Sequence, residues 1–273
     1  MNELILFLHV PRTGGTTFRD IVKHQYKPYE ILEIKHFENA VDVITNISEG
    51  KVKLLKIVIG HFTFGIHEYF PQVCKYITFI RNPIDRVIST YNYTINHPSH
   101  PDHSKVKDIS IDDYLNSKIN RLIDNGQVRI LSGIIHTNEE PVFGDCDLDM
   151  LKKAKENVEN HFLFVGLSEK YDQSLILIKD LLKWEQPFYS IANVSKNKNI
   201  YHNKQLSLKI ADLNKIDINF YDDLRDSFNE KINELPNFNQ KLKFFKKRNK
   251  LIGKLMIYQR LKRLFKRKIR KIL

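Results

Sequence analysis

Three short stretches of this chain gather residues able to bind anions and to move a proton. The first is His9-Val10-Pro11-Arg12-Thr13-Gly14-Gly15-Thr16-Thr17, with paired glycines, one cation and three threonines. Glycines let successive amides turn inward into an anion nest. Arg12 adds a fork of donors, and a helix beginning near Thr17 adds its positive end and unsatisfied amides. Pro11, Arg12, Thr13, Gly14, Gly15, Thr16 and Thr17 thus form a candidate cradle for a phosphate or sulfate of a nucleotide. The spacing is neither that of a Walker A loop nor that of the Gly-x-Gly-x-x-Gly fingerprint.

The second stretch is Arg81-Asn82-Pro83-Ile84-Asp85-Arg86-Val87-Ile88-Ser89. Asn82 suits an N-cap and Pro83 the first helical position. Ile84, Val87, Ile88, Tyr91 and Ile95 then form a buried stripe, while Arg86, Ser89 and Tyr93 share another face. Arg81 and Ser89 are spaced to grip one phosphate from two sides. A Walker-type nucleotidase would end this strand in Asp to hold the Mg²⁺ shell; a cation there points to anion binding without a metal. In the third stretch, Gly60-His61-Phe62, His61 is the candidate general base. His67 is the next choice, as a base or a substrate contact, and Glu68 the third. The run His97-Pro98-Ser99-His100-Pro101-Asp102-His103 suits a surface loop better than a tetrahedral metal site, so no metal is expected.

These stretches need a scaffold. Four apolar runs read as buried strands, Leu4–Val10, Leu54–Ile59, Tyr76–Ile80 and Phe162–Val165. Helical patterns cover roughly 17–26, 38–48, 83–96, 111–132, 147–159, 168–184, 203–214 and 218–232. Alternation of this kind predicts an α/β fold with a mainly parallel sheet. Ligands of such sheets sit outside the carboxyl ends of the strands, and each of the three stretches follows a strand.

Composition narrows the class. The chain has 273 residues, 42% hydrophobic and 28% charged, which excludes collagen-like and wholly disordered readings. No apolar run approaches the length of a membrane-spanning helix. The apolar opening Met1–Val10 lacks the basic flank of a signal peptide, and the first strand leaves no room for an N-terminal anchor. Two cysteines, Cys74 and Cys146, suit thiols in a reducing compartment. A cytoplasmic protein is the expectation.

The formal charge of +12 is unevenly spread. Residues 241–273 hold 15 Lys or Arg and no Asp or Glu, leaving 29 basic against 32 acidic residues in 1–240. The reading is a domain over 1–240 and a basic tail over 241–273. In the tail Leu251, Leu255, Tyr258, Leu261, Leu264, Phe265, Ile269 and Ile272 recur at helical steps. A basic amphipathic helix suits an anionic membrane surface, at about 1 kcal/mol per nearby cation. A solvated helix packed on the body is the plainer alternative, and nucleic acid the least favoured partner.

Taken together, His9-x-Pro11-Arg12-Thr13-Gly14-Gly15-Thr16-Thr17-Phe18 and Ile80-Arg81-Asn82-Pro83-x-x-Arg86-x-x-Ser89 resemble the carbohydrate O-sulfotransferases, nearest the heparan sulfate 2-O- and 6-O- branch. Weaker likeness follows through Asn125-x-x-x-Arg129-x-Leu131-x-Gly133, Phe164-Val165-Gly166-Leu167-x-Glu169 and Asn214-x-x-Asp217-x-x-Phe220-Tyr221. The resemblance implies a P-loop-like parallel sheet flanked by helices. It also implies a sulfonate donor, 3′-phosphoadenosine 5′-phosphosulfate (PAPS), with 3′-phosphoadenosine 5′-phosphate (PAP) as product. The 5′-phosphosulfate then falls to Arg12 through Thr17, and the 3′-phosphate to Arg81 and Ser89. Arg12 stands where the family usually has Lys and would share catalysis with His61. Ser195 and Lys196, in Asn193–Lys198, match a loop that closes over the nucleotide, and Arg129 is a further substrate-binding candidate. The acceptor implied is a carbohydrate or glycolipid, and the basic tail would hold the enzyme at the inner membrane face, where such acceptors collect. Two rival functions remain, a Mg²⁺-dependent nucleotide phosphotransferase or hydrolase, and a non-catalytic protein binding membrane or nucleic acid through its tail.

Overall fold

The computed structural model describes residues 3–133, 143–190 and 203–269, the last sixteen of these by backbone alone. Five strands form one parallel sheet in the order β2-β3-β1-β4-β5. They are β1 (Leu4–Leu8), β2 (Ile31–Ile34), β3 (Ile57–Gly60), β4 (Cys74–Ile80) and β5 (Phe162–Leu167). Every residue of β1 is buried, as expected for a central parallel strand covered on both faces. The main helices between and after them are α1 (Gly15–Gln25), α2 (Ala40–Thr45), α3 (Glu49–Val52), α4 (Pro83–Asn96), α5 (His103–Val106) and α6 (Ile111–Asn116). Then come α7 (Gly126–Ser132), α8 (Leu148–His161), α9 (Tyr171–Leu182), α10 (Lys204–Leu213), α11 (Lys215–Glu234) and α12 (Phe238–Ile269).

Two of the differences from the sequence reading have plain local causes. Strand β2 was not expected, because Ile31-Leu32-Glu33-Ile34 is short and carries a charge. It lies at the sheet edge, where Glu33 faces solvent and pairs with Arg19 and Lys23, each at 3.1 Å. The single helix expected over 111–132 is instead α6, a 3₁₀ turn at Arg121–Ile123 and α7. Lys118 and Asn125 hold positive φ (55° and 48°), which ends one helix and begins the next.

Register brings the three chemical stretches to one edge. Leu8 pairs with Gly60 on one side and Thr78 on the other. The chain leaves β1 toward β2 and β3 but leaves β4 toward β5, so the strand order reverses between β1 and β4. A crevice opens at the carboxyl ends of strands at such a switch point. The loops after β1 and β4 flank it, and His61 follows β3 next to them.

The turn after β4 is held from below by a buried polar network. Gln127, at the start of α7, accepts from the Arg81 amide (2.9 Å) and donates to the Arg81 carbonyl (2.9 Å). Asp217 of α11 accepts from the Gln127 and Val128 amides (3.1 and 2.8 Å) and lies 3.5 Å from Arg86. Arg86 and Asp217 are both fully enclosed. Burial pushes the Asp217 carboxyl up and the guanidinium down, and their mutual attraction opposes both shifts. Asn125 caps α11 through the Ile216 and Asp217 amides (3.1 and 2.9 Å). From the turn after β5, Glu169 accepts from the Asn82 amide (2.8 Å) and the Tyr221 hydroxyl (3.1 Å).

Helix α12 begins at the compositional boundary and packs on the body over its first turns. Phe238 and Phe245 are buried, and Asn249 accepts from the Tyr189 amide at 2.7 Å. Among the described residues no helix is long and apolar enough to cross a membrane.

Two substitutions test this scaffold. Gly60 has φ +147°, and a Cβ there would lie 1.8 Å from the Ile34 carbonyl oxygen. Gly60→Ala is expected to lower unfolding free energy by about 3 kcal/mol, from backbone strain and overlap together; urea titration reads it. Asp217→Ala leaves the Arg86 cation buried with its partner gone, and is expected to cost about 3–5 kcal/mol in the same titration.

Candidate functional site

The loop after β1 turns tightly. Thr13 is fully buried, and its hydroxyl donates to the Val10 carbonyl at 2.7 Å. Gly14, with φ 95°, is the N-cap of α1, and no side chain caps the helix. The first amides of α1 are therefore left for an external acceptor, the arrangement that binds anions at helix starts. Gly15 has a steric reason: a Cβ there would overlap the His9 ring, 2.0 Å away. Pro11, Arg12, Gly14, Thr16 and Thr17 keep exposed surface, whereas Thr13 and Gly15 face inward. The Thr13 hydroxyl thus closes the turn instead of facing a ligand.

Arg12 and Arg81 meet across the β1/β4 crevice. Arg81 donates to the Arg12 carbonyl (3.1 Å), and Arg12 Nε donates to Ser89 Oγ (3.1 Å). The two stretches expected as separate anion sites are thereby one continuous cradle. Neither cation has a carboxylate partner among the described residues. Burial pushes the Arg12 guanidinium down to about 10, the neighbouring Arg81 adds to this, and Tyr93 opposes it. Like charges held together without a counter-ion describe a site built for an anion. Ser168 completes the cradle from the turn after β5, with its hydroxyl 2.8 Å from the Thr13 carbonyl and 2.9 Å from the Ile80 carbonyl. Tyr171 closes it from α9, donating to the Gly14 carbonyl at 3.2 Å.

His61 stands beside this cradle. Its Nδ1 lies 3.2 Å from the His9 carbonyl, which can only accept, so Nδ1 carries a proton. The ring stacks on His9 at 4.4 Å between centroids and meets Phe37 at 5.4 Å. Burial and the adjacent His61 push the His9 imidazole well below its usual range, so His9 is neutral near pH 7.

Several expected residues lie elsewhere. His67 is bonded through Nδ1 to the Tyr76 hydroxyl (3.0 Å) and packs on His161 at 4.9 Å. His161 precedes the first residue of β5, so His67 and its neighbour Glu68 belong to the amino-terminal end of the sheet, opposite the cradle. Arg129 is 1% exposed and bound to Asp124 (2.6 Å) and its carbonyl (2.8 Å). It is a scaffold ion pair and not a substrate contact. Arg86 turns inward to Asp217 instead of sharing a face with Ser89 and Tyr93. Ser195 and Lys196 lie outside the described residues. The His97–His103 segment curls beside Tyr93, with His97 stacked at 3.8 Å and His103 bonded to the Thr94 carbonyl (2.9 Å). No group of three metal-ligating side chains forms among the described residues.

Sequence reasoning assigned no role to Gln127, Ser168 or Tyr93. Gln127 and Ser168 fall inside the weaker motifs, so that signal was present without a function attached to it.

Comparison with known proteins follows the same lines. Human heparan-sulfate 6-O-sulfotransferase 3 is 23% identical over 283 residues, covering 84% of this chain and 58% of that protein. This chain therefore spans somewhat over half the length of that relative. Among solved structures, mouse sulfotransferase SULT7A1 complexed with PAP is 14% identical, covering 78% of this chain and 64% of that one at a TM-score of 0.40. A sulfotransferase from Alicyclobacillus acidocaldarius is 12% identical, covering 82% and 96% at a TM-score of 0.44. The family model described as galactose-3-O-sulfotransferase matches residues 3–249. Nearly the whole chain, cradle and buried network included, belongs to the galactose-3-O-sulfotransferase family.

Proposed function

We propose that this chain binds PAPS across the β1/β4 crevice and transfers its sulfonate to a hydroxyl of a carbohydrate or glycolipid acceptor. One observation carries the reading: Arg12, Arg81 and Ser89 converge at the uncapped start of α1 with no carboxylate among them. Family membership supplies the acceptor class.

In this reading the α1 amides and Arg12 hold the 5′-phosphosulfate, and Arg81 with Ser89 holds the 3′-phosphate. Ser89 accepts from Arg12 and still has its own hydroxyl proton to donate. His61 Nε2 takes the acceptor's proton as its oxygen forms a bond to sulfur. The bond from sulfur to the 5′-phosphate oxygen breaks, and its electron pair leaves with PAP. Arg12 and the α1 amides stabilise the charge that develops on that oxygen. Cations at the ends of β1 and β4 do the work that Mg²⁺ does in Walker-type sites, which favours this reading over a phosphotransferase.

The test is calorimetric binding of PAP in a chelating buffer. Micromolar affinity is expected, lowered at least tenfold in Arg81→Ala, in line with loss of a charged hydrogen bond. ATP, lacking the 3′-phosphate, should compete poorly; equal binding of ATP that needs Mg²⁺ would restore the phosphotransferase reading. His61→Ala should keep PAP affinity within about twofold while slowing sulfonate transfer to a galactose-terminated glycan by roughly 10²–10⁴-fold.

The tail belongs to the same proposal as an anchor to an anionic membrane at its cytoplasmic face, where lipid-linked acceptors collect. Because α12 packs on the body as far as Gly253, the informative truncation removes 254–273 only. That variant should lose binding to vesicles containing phosphatidylglycerol and keep PAP affinity; unchanged vesicle binding would remove the anchor from the proposal.

A further inference from the structure

Arg12 is held in a layered stack that none of the roles above requires. Its guanidinium carbon lies 4.3 Å from the centroid of the Tyr93 ring. The His97 imidazole stacks on the same ring at 3.8 Å, inclined by 30°. Ser89, Tyr93 and His97 follow one another at four-residue steps, so they line one face of α4 and its C-terminal cap. His97 is fixed by its Nδ1–H, which donates to the Tyr93 carbonyl at 2.8 Å, and His100 meets the Tyr93 ring edge-on at 5.8 Å. With Nε on Ser89, neither terminal amino group of Arg12 has a hydrogen-bond partner among the described residues.

The choice of an aromatic ring has a physical logic. Arg12 sits beside a second cation, Arg81, and that proximity disfavours its charge, whereas Tyr93 favours it. A carboxylate could offset the repulsion, but it would also neutralise the cradle and compete with an anionic ligand. The face of an aromatic ring attracts a cation through its quadrupole and leaves the net charge unchanged. The flat guanidinium also stacks in one orientation, which removes rotamer freedom that a long side chain would otherwise lose on binding.

We propose that Tyr93, backed by His97, is the positioning residue of the donor-binding cation: it holds Arg12 flat and charged so that both terminal amino groups meet the 5′-phosphate. This rests on the reading of the crevice as a PAPS site. The stack acts only through Arg12, and that property separates it from a direct ligand contact.

A double-mutant cycle tests it, using PAP binding by calorimetry in the full-length protein and urea midpoints for each variant. Tyr93→Leu is expected to weaken PAP binding about tenfold. Tyr93→Phe, which keeps the ring face, should stay within about twofold of the wild type. In the Arg12→Ala background, Tyr93→Leu should produce no further loss. An equal loss from Tyr93→Leu in both backgrounds would overturn the proposal by making Tyr93 an independent contact. So would unchanged affinity in Tyr93→Leu when Arg12→Ala is weakened. If Tyr93→Leu lowers the urea midpoint, Tyr93→Phe and Tyr93→Leu are compared in one sucrose concentration at which both are fully folded, where only loss of the ring face should cost affinity. Absence of PAP binding in the wild type would instead sink the underlying site reading.

Discussion

Two guanidinium groups held together without a counter-charge among the described residues are the constraint on which this structure turns. Arg12 and Arg81 leave adjacent parallel strands at the same level and repel one another across the crevice. Nothing in their own local sequence would keep them there. The structure meets the repulsion with fixed neutral contacts: Arg81 donates to the Arg12 carbonyl, Arg12 donates to Ser89, and the Tyr93 ring lies 4.3 Å from the Arg12 guanidinium carbon. None of these neutralises the site, so its attraction for an anion is kept.

That solution requires a rigid backbone, because a cation free to swing away would relieve the repulsion at no cost. Rigidity comes from the side of the sheet remote in sequence. Ser168 bridges the Thr13 and Ile80 carbonyls, Glu169 holds the Asn82 amide, and Gln127 takes both backbone groups of Arg81. Behind Gln127 stands Asp217, enclosed with Arg86. Two nitrogens of Arg86, Nε and Nη1, have no hydrogen-bond partner among the described residues, so the pair is an expensive way to stabilise a fold. Its position suggests what it secures: it fixes the start of α7, and α7 fixes Arg81.

The parts of this arrangement that are local could be read from the chain. A Gly-Gly turn between an apolar run and a helix, and Asn82-Pro83 after Arg81, each declare their conformation through adjacent residues. The base candidate His61 was legible for the same reason, since it directly follows a buried strand. What could not be read depends on partners far along the chain. Arg129 and His67 carry the chemistry of ligand contacts, but Asp124 encloses one and Tyr76 holds the other at the far end of the sheet. Strand β2 was missed because its edge position tolerates Glu33, which a buried strand would not. Arg86 misled by helical periodicity alone, because a buried acid 131 residues away draws it inward.

Composition and packing also divide the chain differently at its C-terminal end. The charge changes abruptly at residue 241, yet Phe245 is as buried as the strands and Asn249 bonds to the backbone of Tyr189. Tyr189 in turn meets Tyr171 edge-on at 5.3 Å and donates to Asp172 at 2.8 Å, and Tyr171 donates to the Gly14 carbonyl. A continuous line of packed aromatic and polar contacts therefore joins the first turns of α12 to the anion loop. Charge density reports how a segment meets its surroundings, while apolar side chains report what it packs against, and α12 does both along one helix. Its early turns support the cradle through Tyr189 and Tyr171, so the base of the helix is fixed to the site.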